Sequence, residues 1–90
     1  MKEDDILRKA VKRFGNDLQV NQAIQEMAEL IAELTKSIQK DSMDNISSIL
    51  EEMADVEITQ KQLKIVFENY SRVFKEHYKQ KMERLEGLVK

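Results

Sequence analysis

Proline is absent from this chain of 90 residues, and glycine occurs only twice. Proline breaks helices and glycine weakens them, so their scarcity leaves long segments that can be helical. Glu, Lys, Leu, Ile, Gln and Ala, which favour helices, are abundant, and no strand-like alternation is bounded by turn residues. The sequence therefore predicts an all-α fold, and its length fits a single domain over residues 1–90.

Apolar periodicity divides the chain into four predicted helices. A helix over 3–14 is followed by a second to about Lys40, a third to about Phe67 and a fourth from about Arg72 to the end. The polar segment 40–45 lacks this periodicity, so it predicts a turn that makes the second and third helices an antiparallel hairpin. The predicted architecture is this hairpin at the core of a four-helix, oligomeric bundle.

Residue types near the predicted helix ends indicate how the helices begin and end. Gly15 is expected to end the first helix. Asn16 and Gln19 are spaced as a capping box for the second helix, and Asp44 is a suitable N-cap for the third. Apolar residues lie around much of the third helix, which predicts burial on several sides. The predicted core of the fourth helix consists of Val73, Phe74, Tyr78, Met82, Leu85 and Leu88.

Charge and composition argue against several classes of protein. The net charge is −2 with acids and bases mixed, and no basic patch is interleaved with aromatic residues, so nucleic acid is not the expected ligand. No cysteine is present for a disulfide or a thiolate metal site. The first residues are charged and no apolar run approaches the roughly 18 residues of a membrane span, so we expect a cytoplasmic protein that does not bind membranes.

The predicted helices are long, and the chain is too short to cover them fully. A domain of this size buries only roughly 60 to 65% of the surface that its unfolded chain exposes. Apolar surface is therefore expected to remain for a partner subunit, and we expect a homodimer or a homotetramer.

A short acidic pattern occurs twice, as QEMAEL in the second predicted helix and as EEMADV in the third. Acids three residues apart are neighbours on a helix, so each copy places two carboxylates on one flank. Glu29 lies thirteen residues before Ser42 in the turn, and Asp55 lies thirteen residues after it. At 1.5 Å per residue both are roughly 20 Å from the turn, so the two pairs reach the same height in an antiparallel hairpin.

Four carboxylates gathered beside an apolar stripe need an explanation. Two of them about 5 Å apart repel by roughly 3 kcal/mol at an effective dielectric near 20. Either pair alone is typical of a solvated helix face, but two matched pairs equidistant from one turn favour a shared cation. Oxygen ligands without His or Cys suit Mg²⁺ or Mn²⁺. The predicted metal ligands are Glu26, Glu29, Glu52 and Asp55.

The same residues carry a resemblance to a known family. QEMAELIAEL followed by ILEEMADVEI resembles the E-E-x-x-E … E-x-x-D pattern of the all-α nucleoside triphosphate pyrophosphohydrolases, the MazG-like group. Dimeric dUTPases and phosphoribosyl-ATP pyrophosphohydrolases are related to that group. The likeness covers the second and third helices and extends more loosely to residues 81–88. Gln25 stands where the family has its leading glutamate.

The resemblance implies an all-helical oligomer whose motif carboxylates hold Mg²⁺. It implies hydrolysis of a nucleoside triphosphate to the monophosphate and pyrophosphate, in the removal of unwanted nucleotides. Lys81 and Arg84 match the family's closing basic motif, which implies contacts with phosphate. Glu33 is a reserve candidate for the general base. Two alternatives stay open, namely an enzyme acting on phosphoribosyl-ATP and a non-catalytic helical module that only oligomerises.

Overall fold

The computed structural model describes the whole chain, residues 1–90, and it contains helices and no strands. The all-α prediction is therefore confirmed. In chain order the elements are α1 (Glu3–Phe14), α2 (Asn16–Lys40), α3 (Ile46–Val66), a short 3₁₀ turn (Glu68–Tyr70) and α4 (Ser71–Val89). Both sequence signals, the missing proline and the apolar periodicity, thus identified the helical segments.

Helices α2 and α3 pack against each other as an antiparallel hairpin, which is the main contact in the molecule. Ala23 of α2 is 1% exposed and Ile49 of α3 is 3% exposed, and both lie on the faces that meet. Helix α1 packs across the pair, and Leu7 and Val11 bury its apolar side. The hairpin is therefore the rigid part on which any site formed by α2 and α3 depends.

The reversal between α2 and α3 is closed by local hydrogen bonds. Asp41 ends α2 in the left-handed conformation, with φ of 49°. The Ser37 hydroxyl donates to the carbonyl of Ser42 at 2.9 Å, and the backbone N–H of Ser42 donates to the carbonyl of Ser37 at 3.2 Å. The second of these bonds satisfies a carbonyl in the last turn of α2 that would otherwise lack a partner, and the two together fix where the chain turns.

Two predicted helix caps are wrong, and one is confirmed. Gly15, with φ of 85°, ends α1 by donating its N–H to the carbonyl of Val11 at 2.9 Å. The same glycine is also the N-cap of α2, so Asn16 is already helical and forms no capping box. Asp44 does not cap α3, because Asn45 stands at that position and makes no side-chain capping bond. The Asn45 amide donates instead to Glu33 across the hairpin.

Helix α3 is covered by α2 and by α1 but keeps an exposed side, and the predicted core of α4 is wrong within one chain. Helix α4 packs mainly against the 3₁₀ turn at its start, and near its first turns the Lys64 ammonium of α3 lies 5.0 Å from the centre of the Phe74 ring. Its predicted core residues are between 47% and 75% exposed. Since α4 does not cover α3, Leu50 and Met53 are also at least half exposed. The four helices therefore do not form a closed bundle in a single chain.

The shape of the chain reflects this open arrangement. Its radius of gyration is 16.0 Å, whereas roughly 12 Å is usual for a compact domain of this length. Only four apolar residues are buried, and 22 large apolar side chains are at least 43% exposed. Among the helices, none combines the length and the apolar composition needed to cross a membrane.

Candidate metal centre

Three acidic side chains from the two halves of the hairpin meet beside its core. Carboxylate oxygens of Glu26, Glu52 and Asp55 all lie within 4.8 Å of one another. Glu26 comes from α2, and the other two come from α3. All three side chains are half-buried. The matched distances of the two acidic pairs from the turn explain why the carboxylates reach the same height.

Two contacts near the cluster hold α2 and α3 in register. Towards the turn, the Asn45 amide donates to a carboxylate oxygen of Glu33 at 2.9 Å and to its carbonyl at 3.0 Å. Farther from the turn, the Gln60 amide donates to the Met27 sulfur at 3.4 Å. On α3, Glu52 and Asp55 lie between Asn45 and Gln60, and a slide of one helix along the other would break both contacts.

Glu26 is further oriented by a residue on its own helix. The Gln22 amide donates to Glu26 Oε1 at 2.6 Å. The other oxygen, Oε2, is buried and accepts no hydrogen bond. Glu52 Oε2 is likewise buried without a partner. Two buried carboxylate oxygens of the cluster thus have unused capacity to accept a bond from a donor or to bind a cation.

Electrostatics at the cluster raise the pKa values of two of its members, Glu26 and Glu52. Burial raises the pKa of Glu52, and the neighbouring acids, first among them Glu29, raise it further. Burial also raises the pKa of Glu26, which the hydrogen bond from Gln22 partly offsets, while Glu29 and Asp55 raise it again. Burial removes water from the charged carboxylate and the neighbouring acids repel it, so both causes favour the protonated form.

The donor set fits a hard divalent cation. It offers carboxylate oxygens only, which Mg²⁺ and Mn²⁺ accept readily, and it leaves coordination positions for water or phosphate. A cation would satisfy the two buried oxygens and would offset the repulsion that raises the pKa values of Glu26 and Glu52. The residues present are therefore suitable ligands for such an ion.

The other residues singled out in the sequence lie outside this cluster. Glu29 is exposed and its carboxylate lies within hydrogen-bonding reach of those of Glu26 and Glu52, but it is not one of the three residues whose oxygens are all mutually close. Lys81 and Arg84 are exposed on α4, which does not pack against the hairpin, and neither forms an ion pair.

Glu33, the reserve candidate for the general base, takes part in hydrogen bonds that join α2 to α3. It accepts hydrogen bonds from Asn45 and from Lys36, and these lower its pKa. A carboxylate with a lowered pKa is a weaker base, so this environment does not favour the role of proton acceptor. Sequence reasoning missed Gln22 and Asn45, although Gln22 carries a visible signal, since it precedes Glu26 by four residues.

Comparison of the chain with models of protein families, with curated proteins and with solved structures found no match.

The raised pKa values predict how stability depends on pH. A carboxyl with a raised pKa binds its proton more tightly in the folded chain than in the unfolded chain. In metal-free protein these groups therefore make the free energy of unfolding fall as pH rises from the ordinary carboxyl pKa through the raised value. The measurement is urea unfolding in EDTA between about pH 4 and pH 7. The free energy of unfolding of Glu52→Gln should fall less with pH than that of the wild type, because an amide does not titrate.

The neighbouring substitution Glu51→Gln is the control for this measurement. Glu51 is exposed and lies outside the cluster, so its variant should keep the pH dependence of the wild type. Equal pH dependence in Glu52→Gln and wild type would contradict the raised pKa.

Proposed function

We propose that the chain is a Mg²⁺-dependent nucleoside triphosphate pyrophosphohydrolase, which releases a nucleoside monophosphate and pyrophosphate. The observation that carries this proposal is the convergence of Glu26, Glu52 and Asp55 on one side of the hairpin. The resemblance of QEMAEL and EEMADV to the MazG-like motifs supplies the reaction class. Glu29 is included as a ligand that reaches the ion directly or through a bound water.

The proposed role of the protein is mainly one of placement and charge. A bound Mg²⁺ would supply contacts to phosphate oxygens and charge that stabilises the transition state. Glu26, Glu52 and Asp55 would hold the ion from both halves of the hairpin, so that its position is fixed by the core. Gln22 would keep Glu26 turned towards the cluster through the hydrogen bond that it already donates.

Phosphate contacts from Lys81 and Arg84 are not needed for this proposal. Both residues lie on a helix that does not reach the cluster in one chain. The proposal therefore rests on the carboxylates and on the cation that suits them. Binding of phosphate by residues of a second chain would add to this arrangement without changing the cleavage point.

A product assay tests the proposal. Purified protein is incubated with Mg²⁺ and with a panel of standard and modified nucleoside triphosphates, and pyrophosphate and orthophosphate are measured separately. The expected result is equal amounts of monophosphate and pyrophosphate, and dependence on Mg²⁺ or Mn²⁺. Orthophosphate as the sole product would contradict the cleavage point, and phosphoribosyl-ATP as the only substrate would favour the related enzyme class. No turnover together with no Mg²⁺ binding would leave the oligomerisation module as the better interpretation.

A further inference from the structure

Helix α4 carries an apolar row that meets nothing in its own chain. Leu85 is 50% exposed and Leu88 is 75% exposed. Lys81 lies in line with them, since at 100° per residue the three positions fall within about 60° of the helix circumference. A lysine within an apolar row suggests a partner that offers a carboxylate at the matching place.

Helix α3 carries an exposed row of two apolar residues and an acid, which complements the row of two apolar residues and a lysine on α4. Leu50 is 56% exposed, Met53 is 50% exposed, and the exposed Glu57 follows them within about 60° of the same line. Glu57 makes no direct ion pair within the chain, although its charge acts on Lys61 one turn along α3, and Lys81 makes no ion pair either. An acid and a base thus lie unpaired at the ends of two apolar rows.

The two rows match when the helices run antiparallel. From Leu50 the α3 row advances by three and then four residues, and from Leu88 the α4 row goes back by three and then four. Leu50 then faces Leu88 and Met53 faces Leu85, because equal spacings on antiparallel helices keep the rows opposite one another. In this register the unpaired Glu57 faces the unpaired Lys81.

The net charges of the two parts of the chain favour the same contact. Residues 71–90 carry six Lys or Arg and three Glu, which is a net charge of +3. Residues 1–70 carry nine Lys or Arg and fourteen Asp or Glu, which is a net charge of −5. A basic α4 is therefore attracted to the acidic remainder of a second chain.

The connection between α3 and α4 directs α4 away from its own α3. Between Val66 and Ser71 the chain continues through a 3₁₀ turn, and no residue there has positive φ. The reversal at the hairpin, in contrast, uses Asp41 with φ of 49°. An ion pair of 2.9 Å between Arg8 and Glu68 also holds this connection to α1.

We propose that two copies of the chain exchange α4, each α4 packing antiparallel on the α3 row of the other copy with Lys81 against Glu57. The exchange covers the apolar rows of both helices and pairs both unpaired charges twice in a symmetric dimer. In this arrangement Lys81 lies in the subunit interface and does not bind phosphate.

Charge reversal tests this proposal by molecular mass, measured with light scattering after gel filtration. Wild type is expected to be a dimer. Glu57→Lys and Lys81→Glu should each weaken dimerisation about tenfold or more, since like charges then face each other at both contacts. An equimolar mixture of the two variants should restore the dimer, because one contact is then native and the other has both charges reversed. Lys79→Glu, on the opposite side of α4, is the matched control and should stay dimeric.

Each alternative gives a different outcome in the same experiment. Circular dichroism of each variant establishes that the helices are intact, so loss of the dimer is not loss of folding. A further variant carries both Glu57→Lys and Lys81→Glu in the same chain. If this double variant forms the dimer and the mixture of single variants does not, α4 packs on its own chain and the exchange is wrong. If both single variants dimerise like wild type, the interface lies elsewhere, for instance on the exposed side of α2. A monomeric wild type would equally overturn the proposal.

Discussion

Glu52→Gln is expected to lower kcat/KM for Mg²⁺-dependent pyrophosphate release by about 100-fold or more. The substitution keeps the shape of the side chain and removes the negative charge of a carboxylate that contributes to the convergent cluster. Loss of even an outer partner of a metal typically lowers affinity or activity 10- to 100-fold, so loss of a direct ligand should have at least that effect. A factor of 100 corresponds to about 2.7 kcal/mol of transition-state stabilisation.

Two measurements separate this effect from general damage to the protein. Calorimetry with Mg²⁺ or Mn²⁺ should show heat of binding for wild type, and Glu52→Gln and Glu29→Ala should reduce it. Glu51→Gln, one residue away and outside the cluster, should bind metal and turn over substrate like wild type. If both Gln variants behave alike, the proposed metal centre is wrong, whatever their absolute activity.

Ile49→Ala should lower the free energy of unfolding by about 2 to 4 kcal/mol, the usual range for removing a large buried aliphatic side chain. Ile49 is 3% exposed and lies where α3 meets α2, and only three other apolar residues are buried. Since small domains are stable by only about 5 to 15 kcal/mol, this single change should remove a large part of the total. The measurement is urea unfolding followed by helical circular dichroism.

Ile38→Ala provides a matched comparison for the stability experiment. It makes the same chemical change on a helix, but Ile38 is 80% exposed, so the effect should stay within about 0.5 kcal/mol. Both substitutions replace isoleucine by the better helix former alanine, so the difference between them reports packing. Equal effects at the two positions would mean that contact between α2 and α3 does not dominate stability.

Much of the local structure could be predicted from the sequence. The bounds of α1 and α2 follow from apolar periodicity and from Gly15, and the polar segment after Lys40 identifies the reversal. Caps were less predictable, because Asn45 has two possible partners, the start of α3 and Glu33 across the hairpin. In the folded chain Asn45 contacts Glu33. Rules based on local sequence do not weigh a helix cap against a contact with a distant residue.

The candidate site was predictable to the extent that it depends on spacing along helices. Equal distances of Glu29 and Asp55 from the turn implied that the acidic pairs meet, and carboxylates from both pairs do lie together. Spacing did not reveal which oxygens converge. Glu29 lies beside the cluster and Gln22 contacts it, since small rotations of α2 decide which side chains face α3.

The sequence by itself determined that this protein is helical, where its main reversal lies and at what height its acids stand, because these depend on propensity and on rise per residue. Only the tertiary structure decided which carboxylates converge and that α4 does not cover the other helices of its own chain. Both outcomes depend on how whole helices rotate and on the direction taken by a short connection, and neither is encoded in residue spacing.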